Sequence, residues 1–402
     1  YITRRNRGHI MSKKKITAII ISLYIIIFCI GVDTFLISPL IPLLTNEFNI
    51  TISQGGFLTL SYALAYALFA FILGPISDRL GRRKTLLIGI LSFTLCSFCC
   101  ALSRNFYTLL FFRAFSGIAA AATGPQVWAL IGDVIPFEKR GKVIGIVTSA
   151  LAVSQLLGLP IGSYIAKFFN WNYSFLFLGG LSTIAVVLAF IFIPKESLDQ
   201  KKDSQTSVIG PLRLVMKNRQ AFSSLMVTFF MMFGSFGLFT FVGAWLAQAF
   251  SLNVGQIGTV MMVIGIGNMT GQLSGGFLAD RFGKKKTAVI FMPIMATMLL
   301  LLPNTSFSLS ISIITLLFWF LSAGISLSSF NAYVTELMPE HRGTIMSLNS
   351  SFMYMGTSTG VAINSLILKI GSFSIIGLTS FIAVVISWLI LSIVLFDKKM
   401  KL

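Results

Sequence analysis

Apolar stretches of about 20 residues, almost free of charge, recur along this chain from Ile16 to Phe396, and a helix of that length crosses the roughly 30 Å hydrocarbon core of a bilayer. Nothing else in the sequence limits the fold so strongly, because each stretch must satisfy its own backbone N–H and C=O groups away from water. Twelve spans are read, at about 16–44, 52–73, 84–103, 107–132, 143–168, 174–193, 221–249, 255–278, 287–303, 308–337, 344–368 and 372–396. Hydrophobic residues make up 55% of the chain and charged residues 11%, which sets it apart from soluble domains.

The chain is also doubled. Gly74-Pro-Ile-Ser-Asp78-Arg79-Leu-Gly81-Arg82-Arg83-Lys84 returns as Gly276-Phe-Leu-Ala-Asp280-Arg281-Phe-Gly283-Lys284-Lys285-Lys286. Each copy lies between two apolar runs and reads as a tight basic turn in which Gly81 or Gly283 is free to take a positive φ. Asp78 and Asp280 stand 202 residues apart in a chain of 402, and Gly141, Gly158 and Ile165 meet Gly343, Gly360 and Ile367 at that same offset. Two parallel halves are therefore expected, at 16–193 and 221–396, joined by a polar linker at 194–220 and flanked by tails at 1–15 and 397–402. Met11 reads as the natural start, with Tyr1 to Ile10 an expected vector remnant.

When alternate loops are assigned to one side, 27 of the 31 Lys and Arg fall there, against Arg104, Lys167 and Lys369 on the other and Arg113 within the membrane. The positive-inside rule then makes both termini and the linker cytoplasmic, in the plasma membrane. The net charge of +19 does not point to nucleic acid, since the basic residues sit in short clusters and form no continuous face. Cys29, Cys96, Cys99 and Cys100 lie within apolar spans and read as small core residues, with no metal site expected.

Polar side chains in hydrocarbon must face protein or water. Asp33 lies in span 1, Gln54 in 2, Arg113 and Gln126 in 4, Gln155 in 5, Gln248 in 7, Asn268 and Gln272 in 8, Asn331 in 10, and Asn349 and Asn364 in 11, while spans 3, 6, 9 and 12 have none. Eight helices are thus expected to enclose a wet cavity and four to face lipid. Gly265, Asn268, Gln272 and Gly276 share a helix face, as do Gly324, Ser328, Asn331 and Thr335, and also Asn349, Gly356, Gly360 and Asn364. Each stripe reads either as cavity lining or as a helix-packing seam. Asp33 and Arg113 stand roughly eight and six residues from the outer ends of their spans, so both are expected about 9–12 Å deep, where they can meet.

The doubled turn resembles the cytoplasmic signature of the major facilitator superfamily, and the likeness covers essentially all of Met11 to Leu402. Arg113-Ala-Phe-Ser-Gly117 is similar to the arginine motif of the drug:proton antiporter branch, and Gly31-Val-Asp33 with Pro42 to its first-helix acidic motif. Gly158-Leu-Pro160-Ile-Gly162 resembles the export-associated glycine-proline motif, with Leu159 where a glycine usually precedes the proline. The resemblance implies an all-α membrane protein of twelve transmembrane helices in two pseudo-symmetric six-helix bundles. It also implies that Asp78, in the turn with Arg79, accepts backbone N–H bonds from the start of span 11. Arg82 with Asp133, repeated as Asp280, Arg281, Lys284 and Glu336, then reads as a pair of cytoplasmic latches that hold that side shut while the cavity opens outward.

Transport is expected to be secondary, driven by a proton gradient without a cofactor, because no Gly-x-x-x-x-Gly-Lys-Ser/Thr loop is present to cradle ATP phosphates. An enzyme is not expected either, as His9 and His341 lie outside the spans. Asp33 is expected to bind the coupling proton, with Arg113 holding it ionised until substrate or water parts them. The competing reading is a static ion pair that fixes helix register. Ser235 and Thr315 occupy the matching places in the second half. Tyr62, Tyr66 and Trp245 offer rings to a substrate, and Gln126, Gln155, Asn268, Gln272, Asn331 and Asn349 offer amides, which favours a polar or zwitterionic organic compound. The expected function is proton-coupled export of a drug or endogenous metabolite, metal-chelating ones included, by a monomer using alternating access. The alternatives are a proton-coupled importer and a non-transporting sensor or lipid-handling protein.

Overall fold

The computed structural model describes residues 13–135, 137–194, 209–338, 340 and 342–396. In chain order they form α1 (Lys13–Phe48), α2 (Ile52–Leu80), α3 (Arg82–Ala101) and α4 (Phe106–Val134). The fifth span is α5 (Phe137–Val153), a π-helical turn (Ser154–Gly158) and α6 (Leu159–Phe168), followed by α7 (Trp171–Phe192). A short α8 (Ile209–Lys217) precedes α9 (Arg219–Phe250), α10 (Val254–Phe282), α11 (Lys284–Leu301), α12 (Leu309–Leu337), α13 (Arg342–Ile370) and α14 (Phe373–Phe396). The tails at 1–12 and 397–402, the linker stretch 195–208 and the side chains of Asp78 and Arg79 lie outside the described residues.

Helix ends follow local chemistry, and the same chemistry appears twice. Thr51 and Gln54 form a capping box at the start of α2, and Asn253 and Gln256 form one at the start of α10, each pair satisfying backbone N–H groups that a first turn leaves over. Gly81 and Gly283 both adopt φ 92, which breaks α2 from α3 and α10 from α11 without the steric cost a side chain would bring. Pro160 has no N–H to give the preceding turn, and the helix widens there instead, with the Leu159 N–H bonding the Ser154 carbonyl. Several helices overrun the expected spans: α1 continues to Phe48, so Asp33 stands further from its helix end than expected, and α8 occupies part of the expected linker.

Among the described residues, ten helices qualify as membrane spans by length and hydropathy. α10 and α13 have the same length but carry dense runs of Gly, Ser, Thr and amides that lower their hydropathy. On α13 most of that run is buried, from Asn349 to Ser365, whereas on α10 Gly258, Gly265, Gly271 and Gly275 are buried and Thr270, Ser274 and Gly276 are exposed. Both helices join the two six-helix bundles, α1–α7 and α9–α14, whose most extensive mutual packing is α2 on α13, then α6 on α10 and α1 on α9. α3, α7, α11 and α14 instead turn Leu91, Ile184, Ile290, Leu389 and similar side chains outward, exposed on the outside of the fold.

Because the spans pair off evenly, α1 begins and α14 ends at one face, called here the terminal face. The bundles are knit together on the opposite, distal side. Phe35 of α1 packs on Phe236 and Phe239 of α9, Ser38 donates to the Phe239 carbonyl at 2.7 Å, and Ser53 of α2 donates to the Ser365 carbonyl at 2.6 Å. Accordingly the distal apolar residues of the first bundle share one core with the second bundle, while those nearer the terminal face form a separate core. On the terminal side Gly132, Gly141, Gly145, Gly276 and Gly343 all border open space.

Candidate functional site

The centre of the first bundle holds one fully buried ion pair. Arg113 of α4 and Asp33 of α1 are 0% and 1% exposed, and Arg113 Nη1 donates to Asp33 Oδ1 at 2.5 Å. Two backbone carbonyls complete the guanidinium's surroundings, that of Leu58 at 3.5 Å from Nε and that of Asp33 itself at 3.4 Å from Nη2. The face of the Tyr62 ring lies 4.6 Å from Arg113 Cζ. Arg113 is thus held by several groups that do not depend on the carboxylate charge, whereas Asp33 Oδ2 is buried with no partner. An uneven pair of this kind can exchange a proton or a ligand at the carboxylate without stranding the cation.

Gly117, one turn from Arg113, explains why α4 reaches α2 closely enough to build this site. A Cβ there would collide with the Tyr62 carbonyl, so the glycine serves close approach. Tyr62 and Tyr66, one turn apart on α2, then face the second bundle. Tyr354 of α13 stacks on Tyr66 with ring centroids 3.7 Å apart and planes at 23°, and stands 6.3 Å from the Tyr62 ring. Sequence reading missed Tyr354. It lies off the small-residue stripe of its helix, and its one sequence trait was a polar-tipped ring in a span of Ser, Thr, Gly and Met. Thr34, beside Asp33, was missed as well; its hydroxyl reaches the Tyr62 hydroxyl at 3.5 Å.

The amides divide into three groups. Gln155, in the π turn, accepts from Asn268 across the bundles at 2.7 Å, and Asn268 accepts from Gln272 at 2.9 Å. Asn349 instead stays within the second bundle, accepting from Thr228 at 2.6 Å and donating to Asn331 at 3.3 Å. Gln126 is buried with its Oε1 unpartnered. Trp245 stands apart, sealed in the distal layer against Phe250. Of the three stripes, only that of Gly265 and Asn268 crosses between bundles. Gly324 seats α12 on α10, and Gly356 and Gly360 seat α13 on the Phe229 and Phe233 carbonyls of α9, so those two stripes are packing seams.

The residues expected as latches are paired as expected. Arg82 Nη1 lies 2.7 Å from Asp133 Oδ2 and 3.2 Å from the Ala129 carbonyl, and Lys284 pairs with Glu336. These bonds join α3 to α4 and α11 to α12, each within one bundle, and they are formed while open space borders the terminal side. They join neighbouring helices within a bundle, and the contact expected across the halves, from Asp78, falls on a side chain outside the described residues. Asp280 is exposed beside Lys284, Lys285 and Lys286 on an open cleft of about 560 Å³, and Arg281 lies over the Phe282 ring at 5.6 Å.

Two repeated six-helix bundles that pack on each other and, among the described residues, bury one ion pair at mid-depth make the frame of a multi-pass membrane transporter, not an enzyme. The chain belongs to the Major Facilitator Superfamily, whose family model matches residues 23–361 and, in a second overlapping match, 224–400. It is similar to an uncharacterized MFS-type transporter, YceJ, of Bacillus subtilis (strain 168), with 36% identity over 84% of this chain and 86% of that one. The quinolone resistance protein NorA of Staphylococcus aureus (strain COL) is 25% identical over 84% of this chain and 87% of its own. Among solved structures, a D-xylose-proton symporter shares the fold with a TM-score of 0.78 at 17% identity, covering 93% of this chain and 97% of that one.

Proposed function

We propose that this transporter is a proton-coupled exporter of a small polar or zwitterionic organic compound, working by alternating access in the plasma membrane. The observation that carries the reading is the buried Asp33–Arg113 pair. An acid at that depth is costly unless it does something, and its partner is arranged to survive the acid's neutralisation. When Asp33 takes a proton, Arg113 keeps the Leu58 and Asp33 carbonyls and the Tyr62 ring. When the proton leaves, the ion pair re-forms and draws α1 and α4 together. The lobes that rock are the bundles at 16–193 and 221–396, with the monomer as the working unit.

The strong excess of Lys and Arg on the terminal side supports placing that face in the cytoplasm. Open space there and a sealed distal layer then correspond to a state that admits substrate from the cytoplasm. The drug-resistance relative supports export. The test is Asp33→Asn, compared with wild type at equal membrane levels in vesicles with an imposed pH gradient, using metabolite and drug profiling to choose the transported compound. Gradient-driven flux should disappear. Undiminished flux would remove the coupling role, and flux directed with the proton gradient would replace export by import.

A further inference from the structure

We infer that Ser163 and Ser365 bias the distal joint towards opening in the alternating-access cycle proposed above, because sealing that joint buries both hydroxyls without a hydrogen bond. The two serines stand 202 residues apart, and so do the glycines they meet, Gly56 and Gly258. Ser365 of α13 lies against Gly56 of α2, where a Cβ would stand 2.9 Å from the hydroxyl oxygen. Ser163 of α6 lies against Gly258 of α10, where a Cβ would stand 2.7 Å from the hydroxyl oxygen and 2.5 Å from the serine Cβ. Each contact crosses from one bundle to the other. The repeat thus sets one in each of two seams, α2 on α13 and α6 on α10.

Both serines are 0% exposed, and neither Oγ has a partner. Other buried serines behave differently: Ser22 and Ser97 donate to the carbonyl four residues back, at 2.8 and 2.9 Å. A hydroxyl taken out of water with no partner costs free energy, and that cost disappears once the joint parts and water reaches it. Neighbouring bonds act the other way. Ser53 of α2 donates to the Ser365 carbonyl at 2.6 Å, and Tyr164 of α6 shares a hydrogen bond with Thr259 of α10 at 2.9 Å. Each seam therefore carries one bond that holds it shut and one stranded hydroxyl that favours opening. The glycines permit the contact, since a methyl group at either would hold its seam apart.

The test is maleimide labelling of Thr240→Cys in the purified full-length chain, with the chain's own four cysteines as the blank. Thr240 is 1% exposed beside Phe239 in the sealed layer, so its cysteine reacts only when that layer opens. Ser163→Ala and Ser365→Ala should each slow labelling at least about fivefold, because the sealed state no longer strands a hydroxyl. Ser53→Ala should speed it about two- to tenfold by losing a holding bond, and Gly258→Ala should also speed it. Ser326 is equally buried and unpartnered on α12, whose neighbours α10, α11 and α13 belong to its own bundle, so Ser326→Ala should leave the rate unchanged. Unchanged or faster labelling in either Ser163→Ala or Ser365→Ala would overturn the bias, as would slowing by Ser326→Ala as large as theirs. No labelling of Thr240→Cys alone, even at long times, would deny that the distal joint opens and would remove alternating access with it.

Discussion

The two bundles agree in almost every backbone device and differ at the middle of the membrane. Asn49 and Ser251 both take a left-handed conformation, with φ 51 and 53, just before the matching capping boxes, and Gly81 and Gly283 share φ 92. At 202 residues from Asp33 and Arg113, however, stand Ser235 and Thr315. Where Gly117 lets α4 press on α2, the second bundle has Trp319, fully buried and donating from Nε1 to Ser235 at 3.3 Å. One bundle spends its centre on a charge pair and the other fills it with an indole. The difference teaches that turns, caps and glycine contacts specify this scaffold, and that the chemistry sits in side chains the scaffold does not require.

Converting the first centre into the second tests that division most severely. Arg113→Thr alone leaves Asp33 buried and unpaired, and a buried charge stripped of its partner costs on the order of 3–5 kcal/mol. Thermal unfolding in detergent should show the loss. Asp33→Ser added to Arg113→Thr copies the residues of the second half and should recover most of the stability while proton-coupled flux stays absent. A double variant as unstable as the single one would mean that the pair also specifies how α1 meets α4.

A smaller effect is expected from the glycine that makes the approach possible. Gly117→Ala pushes a methyl group into the Tyr62 carbonyl, and overpacking of this kind costs about 1–3 kcal/mol. It should also displace Tyr62 from Arg113, so that stability and coupled flux fall together. Trp319→Phe, at the matching position, loses one hydrogen bond to Ser235, worth about 0.5–1.5 kcal/mol. Its flux per folded molecule should match wild type. If Trp319→Phe impaired coupling as much as Gly117→Ala, the chemical division between the bundles would not hold.

Much of this was legible in the sequence because membranes leave few options. Spans, the doubled turn and the fold class follow from apolar length and a fixed 202-residue offset, and the positive φ at Gly81 and Gly283 from their place in tight turns. The meeting of Asp33 with Arg113 was legible too, since two opposite charges at similar depth have few other places to go. Helix faces were harder. The stripes through Gly324 and Asn331 and through Asn349 and Gly360 could be read as cavity lining or as packing seam, and they are where small residues let α12 and α13 lie close on α10 and α9. A periodicity of small and polar residues marks close approach, and it carries no information about whether the approaching surface is helix or water. Tyr354 was invisible for the opposite reason, as a single ring gains its meaning only from Tyr66 on a chain segment nearly 300 residues away.

The smallest effect separates bracing from latching. The Arg82–Asp133 and Lys284–Glu336 pairs are partly exposed, with carboxylates 42% and 58% open, so Asp133→Asn and Glu336→Gln should each cost no more than about 1 kcal/mol and less at high salt. The first should cost slightly more, because Arg82 also donates to the Ala129 carbonyl, which ties its position to the body of α4. Since each pair joins helices of one bundle, neither variant should alter how often the terminal side stands open. The measure is maleimide labelling of a cysteine placed at Gly141, which borders open space, and its rate should be the same with and without Asp133→Asn. A faster rate in the variant would mean that the ion pair does restrain the two halves against each other, and that a bond drawn inside one bundle acts at the joint between them.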